Sequence, residues 1–336
     1  MHIYLDESGP FVGYQTGSIG VVGALVIPDG NVRRLRRKFA RIRPSLLKEG
    51  NEVKGRLLEE HDVNRVVRLL ATREVIFEVT ALDLGLHTEV GVLAFRQKLA
   101  TETRAKLSAF PEPLRARVVE AVNYLDTMSP QLFLQALTTF ELIHRVISHT
   151  ILYLSQRRPY ELSSFAWVVD GKNRAKVTNW ENWLKFYARG ALISLSQRNP
   201  VPMPNPSSPC LFDYTFLDVF MTKQATGEKS LDTGLLLQNF SFKSDTEMGL
   251  EFVDVLTNAI RRLLTGKLQR DGWIDMHRLM IHRADETYIK FILFGPGLDF
   301  VRAAPYAAVV NEGFLTNGKP MFTRRNDAHD QKSRVA

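Results

Sequence analysis

The first nine residues, Met1-His2-Ile3-Tyr4-Leu5-Asp6-Glu7-Ser8-Gly9, form a short β-branched and aromatic run that stops at two acids and a Ser-Gly turn. Such a run is a strand signal, and a strand obliges the chain to build a sheet around it. Ligands of α/β sheets bind just beyond the carboxyl ends of strands, which is where Asp6 falls. Taken alone, Asp6 reads as an Asx-turn acceptor that ties down the Ser8-Gly9 bend. The pattern recurs, however, in Ser163 to Val169 (SSFAWVV), which ends at Asp170 followed by Gly171, Lys172 and Asn173. Downstream, Met248 to Leu264 carries Leu250, Val253, Leu256, Ile260 and Leu264 at helical spacing, with Asp254 beside the stripe. A carboxylate next to a packing face loses solvation and needs a partner, and a metal ion is one candidate. A fourth acid lies in Asn51-Glu52-Val53-Lys54-Gly55, whose Glu-x-Lys pattern is common on solvated surfaces.

In order, Tyr-Leu-Asp-Glu-Ser-Gly, Glu-x-Lys-Gly, Val-Val-Asp and Leu-Glu-Phe-Val-Asp-Val-Leu resemble a widespread bacterial and phage domain family. That family opens with Tyr, an aliphatic residue and Asp-Glu-Ser-Gly, and it is grouped with the ribonuclease H-like superfamily. The resemblance spans about residues 1 to 265 and departs from the family's closing motif at Glu251 and Val253, where Gln and Ala are common. It implies a ribonuclease H-like mixed sheet flanked by helices. It also implies a carboxylate cluster holding Mg²⁺ or Mn²⁺: Asp6 bridging two ions, Glu52 and Asp170 completing the set, and Asp254 on the side of the attacking water. Hard cations of this kind prefer oxygen ligands. Lys54 and Lys172 are then placed to neutralise the scissile phosphate.

Net charge is +8, a balance that favours polyanionic partners. Arg33, Arg34, Arg36, Arg37, Lys38, Arg41 and Arg43 fall within eleven residues that contain no acid. Val32, Leu35, Phe39 and Ile42 keep helical spacing among them, so the segment reads as a helix docked by one face and basic on the other. A solvated face would gain from interleaved Glu. Its absence points Arg33, Arg34, Arg37 and Arg41, with Lys172, toward nucleic-acid phosphates, DNA or RNA. Cys210 is the only cysteine, which excludes an internal disulfide and a Cys-based zinc cluster, and its Pro-rich setting makes it inert. No apolar run reaches the length of a membrane span, and the chain enters its first strand without a signal segment, so a cytoplasmic protein is expected.

Along the chain, strands are expected at 2 to 6, 18 to 27, 74 to 83, 164 to 169 and 234 to 242. Helices are expected near 31 to 43, 60 to 71, 176 to 196 and 248 to 264. Residues 89 to 157 read as helices divided by Pro111, Pro113 and Pro130, best taken as a helical subdomain inserted in a domain spanning 1 to 300. A C-terminal extension, 301 to 336, loses periodicity and is expected to be disordered from about 321. Trp180, Trp183 and Tyr187 are spaced to pack a core, while Trp273 and His277 could border the site. Glu141 and His144 have the spacing of a di-iron helix motif without a second copy, so with His149 they read as polar-face residues.

These features point to a divalent-metal phosphodiesterase, a nuclease with a two-metal site in phage defence or mobile-element biology. Two alternatives stay open: a non-catalytic nucleic-acid-binding or effector module, and strand transfer, which lacks an obvious DNA-recognition domain here.

Overall fold

The computed structural model describes residues 1–110, 112–171, 178–198, 200–201, 212–223, 229–243, 246–283, 286–294, 306, 314 and 318–323. Lys172, Cys210, most of the 199–209 loop and everything from 324 onward lie outside the described residues.

Six strands form one mixed sheet: β1 (His2–Ser8), β2 (Ile19–Ile27), β3 (Ile76–Asp83), β4 (Ala166–Asp170), β5 (Asn239–Lys243) and β6 (Ile289–Phe291). Their spatial order is β6-β3-β2-β1-β4-β5. β1, β2 and β3 are an antiparallel meander, whereas β4 runs parallel to β1, β5 parallel to β4, and β6 parallel to β3. The longer helices are α1 (Asp29–Ile42), α2 (Glu60–Ala71), α3 (Glu89–Ala105), α4 (Glu112–Thr127), α5 (Pro130–Leu154), α6 (Asn179–Phe186), α7 (Ala188–Arg198) and α8 (Met248–Leu264).

Every residue of β2 and β3 is buried, because helices cover both faces of the sheet. On one face Tyr4, Leu25 and Phe77 pack with Leu35 and Phe39 of α1, Val66 of α2, and Phe252 and Leu256 of α8. On the other face Ile3, Leu5, Val22 and Trp167 pack with Ile143 and Ile147 of α5.

The helical block is therefore not a separate insertion throughout. α5 is the sheet's second covering layer, while a satellite core of Ala100, Phe110, Val118, Val122 and Ile193 joins α3, α4 and α7. The helix expected at 176 to 196 is two, α6 and α7; α7 lies so close to α4 that a Cβ on Gly190 would meet the Arg117 carbonyl oxygen at 2.5 Å. The strand expected at 234 to 242 is only β5. Its first half turns inward as a 3-10 segment, Leu235–Leu237, where Trp167 Nε1 donates to the Leu236 carbonyl at 2.7 Å. β1 runs two residues past Asp6, since pairing with β2 extends to Ser8 opposite Val21.

Residues from 321 to 323 depart from the expected disorder. Lys319–Pro320 pairs with Ile281–His282, and Thr323 N–H donates to Gln156 Oε1 at 3.1 Å. Tyr306 and Phe314 are buried in the core beneath α8. Among the described residues, no helix is long and apolar enough to cross a membrane.

A candidate acidic site at the sheet edge

The register of β1 on β4 pairs Tyr4 with Val168 and Leu5 with Val169, and one further step sets Asp6 beside Asp170. Side chains alternate along a strand, so Asp6 and Asp170 share the face of Tyr4 and Val168, on which α8 packs. Glu7 points to the opposite face, where Gln135 of α5 donates to its carboxylate.

α8 brings Asp254 to the same edge. Its carboxylate is fixed by two donors, the Gly55 N–H at 2.6 Å to Oδ2 and Asn258 Nδ2 at 3.0 Å to Oδ1. Asn258 sits one helical turn on and accepts from Ser8 Oγ at 2.9 Å, so β1 and α8 are tied together beside the acids. Gly55 has to be glycine for a packing reason: a Cβ there would lie 2.7 Å from Val255 Cα and 2.8 Å from the Asp254 carbonyl oxygen.

A small hairpin, Lys48–Glu49 with Glu52–Val53, carries Glu52 and Lys54 to the cluster. Glu251, 1% exposed, clamps that hairpin to α8. It accepts from Val53 N–H at 2.8 Å and from Arg43 Nε and Nη2 at 2.8 and 2.7 Å, and Arg43 Nη2 also donates to the Asn51 carbonyl. Lys54 Nζ lies 2.7 Å from Glu52 Oε1.

The electrostatics of the cluster are unbalanced. Asp6 is pushed well above the usual carboxylate range by burial first, then by the charges of Asp254 and Asp170; Lys54 opposes this. Asp170 is raised to about 6, chiefly by burial, with Lys54 opposing and Glu52, Asp254 and Glu181 adding to the rise. Asp254 is raised by burial against the pull of the Gly55 N–H and Lys54. Lys54 loses solvation, but its bond to Glu52 and the surrounding carboxylates still hold it above its ordinary value. Two ionised carboxylates only accept, so Asp6 and Asp254 repel one another. Asp6 Oδ2 is buried with no donor among the described residues.

The structure thus gathers Asp6, Asp170, Asp254, Glu52 and Lys54 within electrostatic reach of one another. Among the described residues, no group of three or more His, Cys, Asp or Glu side chains is arranged to hold a metal ion as it stands. Glu52 is turned to Lys54, and Asp254 to its two donors.

Arg33, Arg34, Arg37 and Arg41 are exposed on the outer face of α1, and none is in a salt bridge among the described residues. Leu35 and Phe39 form the docked face, the Phe39 ring 4.4 Å from that of Phe252. Arg43 belongs to the Glu251 clamp instead.

His149 is not a polar-face residue. It is 1% exposed and lies between Glu78 Oε1 (2.7 Å from Nδ1) and Glu286 Oε2 (3.0 Å from Nε2), while Arg145 Nε donates to Glu78 Oε2 at 2.7 Å. Glu141 pairs with Lys290 at 2.6 Å. Trp273 and His277 pack around Phe314 and do not reach the acids. Of the residues that shape the site, Glu251, Asn258 and Glu181 were not anticipated. For Asn258 a signal existed, since it follows Asp254 by one helical turn.

Compared with protein-family models, curated proteins and solved structures, the chain finds no match in any of the three.

Proposed function

We propose that this protein is a divalent-metal-dependent phosphodiesterase acting on nucleic acid, on a ribonuclease H-like sheet. The observation that carries the reading is Asp6: a half-buried residue whose Oδ2 is enclosed with no donor among the described residues, beside the charges of a second and a third carboxylate. A structural acid would be given donors, because a buried unpaired charge costs several kcal/mol. An all-oxygen set of Asp6, Asp170, Asp254 and Glu52 suits Mg²⁺ or Mn²⁺, and such a cation supplies neutralisation of the acids and polarisation of a phosphate oxygen.

The chain's own residues have separable tasks. Asp6 and Asp170 are held by β1 and β4, neighbouring parallel strands inside the sheet. Asp254 is oriented by the Gly55 N–H and Asn258 and stays available on its remaining lone pairs. Glu52 completes the set once it swings off Lys54, which frees the Lys54 ammonium to neutralise a phosphate non-bridging oxygen. The order of the six strands, the antiparallel meander and the parallel β4 and β5 support the same reading. So do the exposed arginines of α1, which carry uncompensated charge toward the Glu52 hairpin.

The test is hydrolysis of end-labelled DNA and RNA, single- and double-stranded, with Mg²⁺ or Mn²⁺ and with EDTA. Hydrolysis is expected only with the metal and is expected to vanish in Asp6→Asn, with an unchanged circular-dichroism spectrum. Activity in EDTA or in purified Asp6→Asn overturns the catalytic claim. Metal-independent binding without hydrolysis would instead mark a non-catalytic module.

A further inference from the structure

At the opposite end of the sheet, where α1 begins beside the first residues of β1, lies a concave pocket of about 520 Å³. Five cations line it, from four distant parts of the chain: Arg34 on α1, Arg73 ahead of β3, Arg157 and Arg158 just past α5, and Lys319 near the C-terminus. The single lining carboxylate, Glu74, accepts from Tyr153 Oη.

Most of this positive charge is positioned without being neutralised. Among the described residues Arg157 donates only to carbonyl oxygens, those of Tyr153 at 3.2 Å, Met321 at 3.1 Å and Pro320 at 2.8 Å, and its guanidinium stacks 3.9 Å over the Tyr153 ring. Lys319 Nζ likewise donates to the Val75 carbonyl at 2.5 Å. Arg158 reaches only to 3.9 Å from Glu161. Arg73 Nε is a buried donor with no acceptor among the described residues. Cations fixed by neutral acceptors around an open concavity form an anion site, and guanidinium forks suit phosphate oxygens.

α1 connects this pocket to the acidic edge. Arg34 lies in the pocket, Arg37 and Arg41 follow along the exposed face, and the helix leads through Arg43 to the Glu52 hairpin. Fourteen residues at 1.5 Å rise make α1 about 21 Å long, enough to run beside several consecutive phosphates of one strand. Building on the phosphodiesterase reading, we infer that the pocket anchors one phosphate of a nucleic-acid strand whose backbone follows α1 to the acidic cluster. It would thereby set which bond, a few nucleotides away, meets the acids.

The test is binding of a fluorescent 20-base-pair duplex in EDTA, where hydrolysis is absent, across a salt series. Arg73→Gln with Arg158→Gln is expected to reduce the log-log salt slope by up to about 1.8, or 0.9 per lost duplex contact. Arg34→Gln alone, an exposed change that leaves the fold untouched, is expected to reduce it by about 0.9. Lys98→Gln with Lys106→Gln removes the same charge from exposed positions on α3 and at its C-cap and should leave the slope as it is. An unchanged slope in the pocket variants, or an equal fall in the α3 variant, overturns the anchor, as does inorganic phosphate competing as well as added duplex. Hydrolysis of the same duplex with Mg²⁺ reports on the phosphodiesterase reading separately: an enzyme that cuts while its slope ignores the pocket loses only the anchor.

Discussion

Two charge clusters lie on opposite faces of one sheet, one buried and one half-buried, and they are built on opposite terms. Under α5, Glu78 and Glu286 are matched by Arg145 and His149, with Arg283 2.9 Å from Glu286. Burial alone would raise Glu78 and lower His149, yet their mutual attraction reverses both shifts: Glu78 sits below its ordinary value and His149 above. Glu286, bonded to His149, is drawn down to about 2. At the α8 edge Asp6, Asp170 and Asp254 are shifted the other way, because burial and neighbouring carboxylates outweigh the opposing charge of Lys54. A buried charge that finds its counter-charge within the chain serves the fold. At the α8 edge the described residues set one lysine, Lys54, against the carboxylates, and that contrast makes this edge the candidate site.

Neutralising one carboxylate in each cluster should therefore give opposite signs. The largest effect is expected for Glu78→Gln, which strands Arg145 beneath the sheet and should cost about 3 to 5 kcal/mol, the range for breaking a buried pair. Urea denaturation measures it, and a loss under 1 kcal/mol would place the two clusters in the same class. Gly55→Ala comes next. Its methyl group meets the backbone of α8, so the hairpin must retreat, with about 1 to 3 kcal/mol of destabilisation and a weakened Mg²⁺ response, both read by thermal denaturation.

Asp6→Asn should be nearly neutral or mildly stabilising without metal, since it removes repulsion, whereas Asp254→Asn turns an amide NH2 toward the Gly55 N–H or Asn258 and should cost about 1 to 3 kcal/mol. Added Mg²⁺ should raise the melting temperature of the wild type by mass action and raise that of either variant less. A destabilised variant that answers Mg²⁺ as the wild type does would take that residue out of the site.

The smallest effect is in the pH profile. Folded-state values above the unfolded value of about 3.9 for Asp mean that the folded chain binds more protons, so stability in EDTA should fall as pH rises. For Asp170 the window runs from about 4 to about 6. Asp170→Asn should flatten that decline. The α5 cluster works in the opposite sense. The contribution of Glu286 is present above about 4.3 and is lost on acidification toward about 2. That of His149 is complete below about 6.5 and fades only above its raised folded value. Parallel wild-type and Asp170→Asn curves between pH 4 and 7 would contradict this assignment.

The strand ends and the periodicity of α8 placed Asp6, Asp170 and Asp254 from local patterns alone, because a carboxylate at the close of a β-branched run or beside an apolar stripe is visible within ten residues. Glu78 was not visible in that way. The alternation of Val75, Phe77, Val79 and Ala81 reads as one buried face and one solvated face, and only the docking of α5 turns Glu78 into a core residue. The same holds for α5, which resembles part of an insertion until its contacts with Ile3, Val22 and Trp167 are known.

What the sequence determined by itself was β1 to β4, most of the helices and the carboxylates they carry, since hydrophobic period and turn residues act over short stretches; the three-residue edge strand β6 was too short to show a period. Tertiary structure decided which charges meet: Arg43 with Glu251, Arg145 with Glu78, and the arginines of three segments with Lys319 around one pocket. Electrostatic energy depends on separation in space and on the water excluded between the groups, and neither quantity is encoded at any one position in the chain.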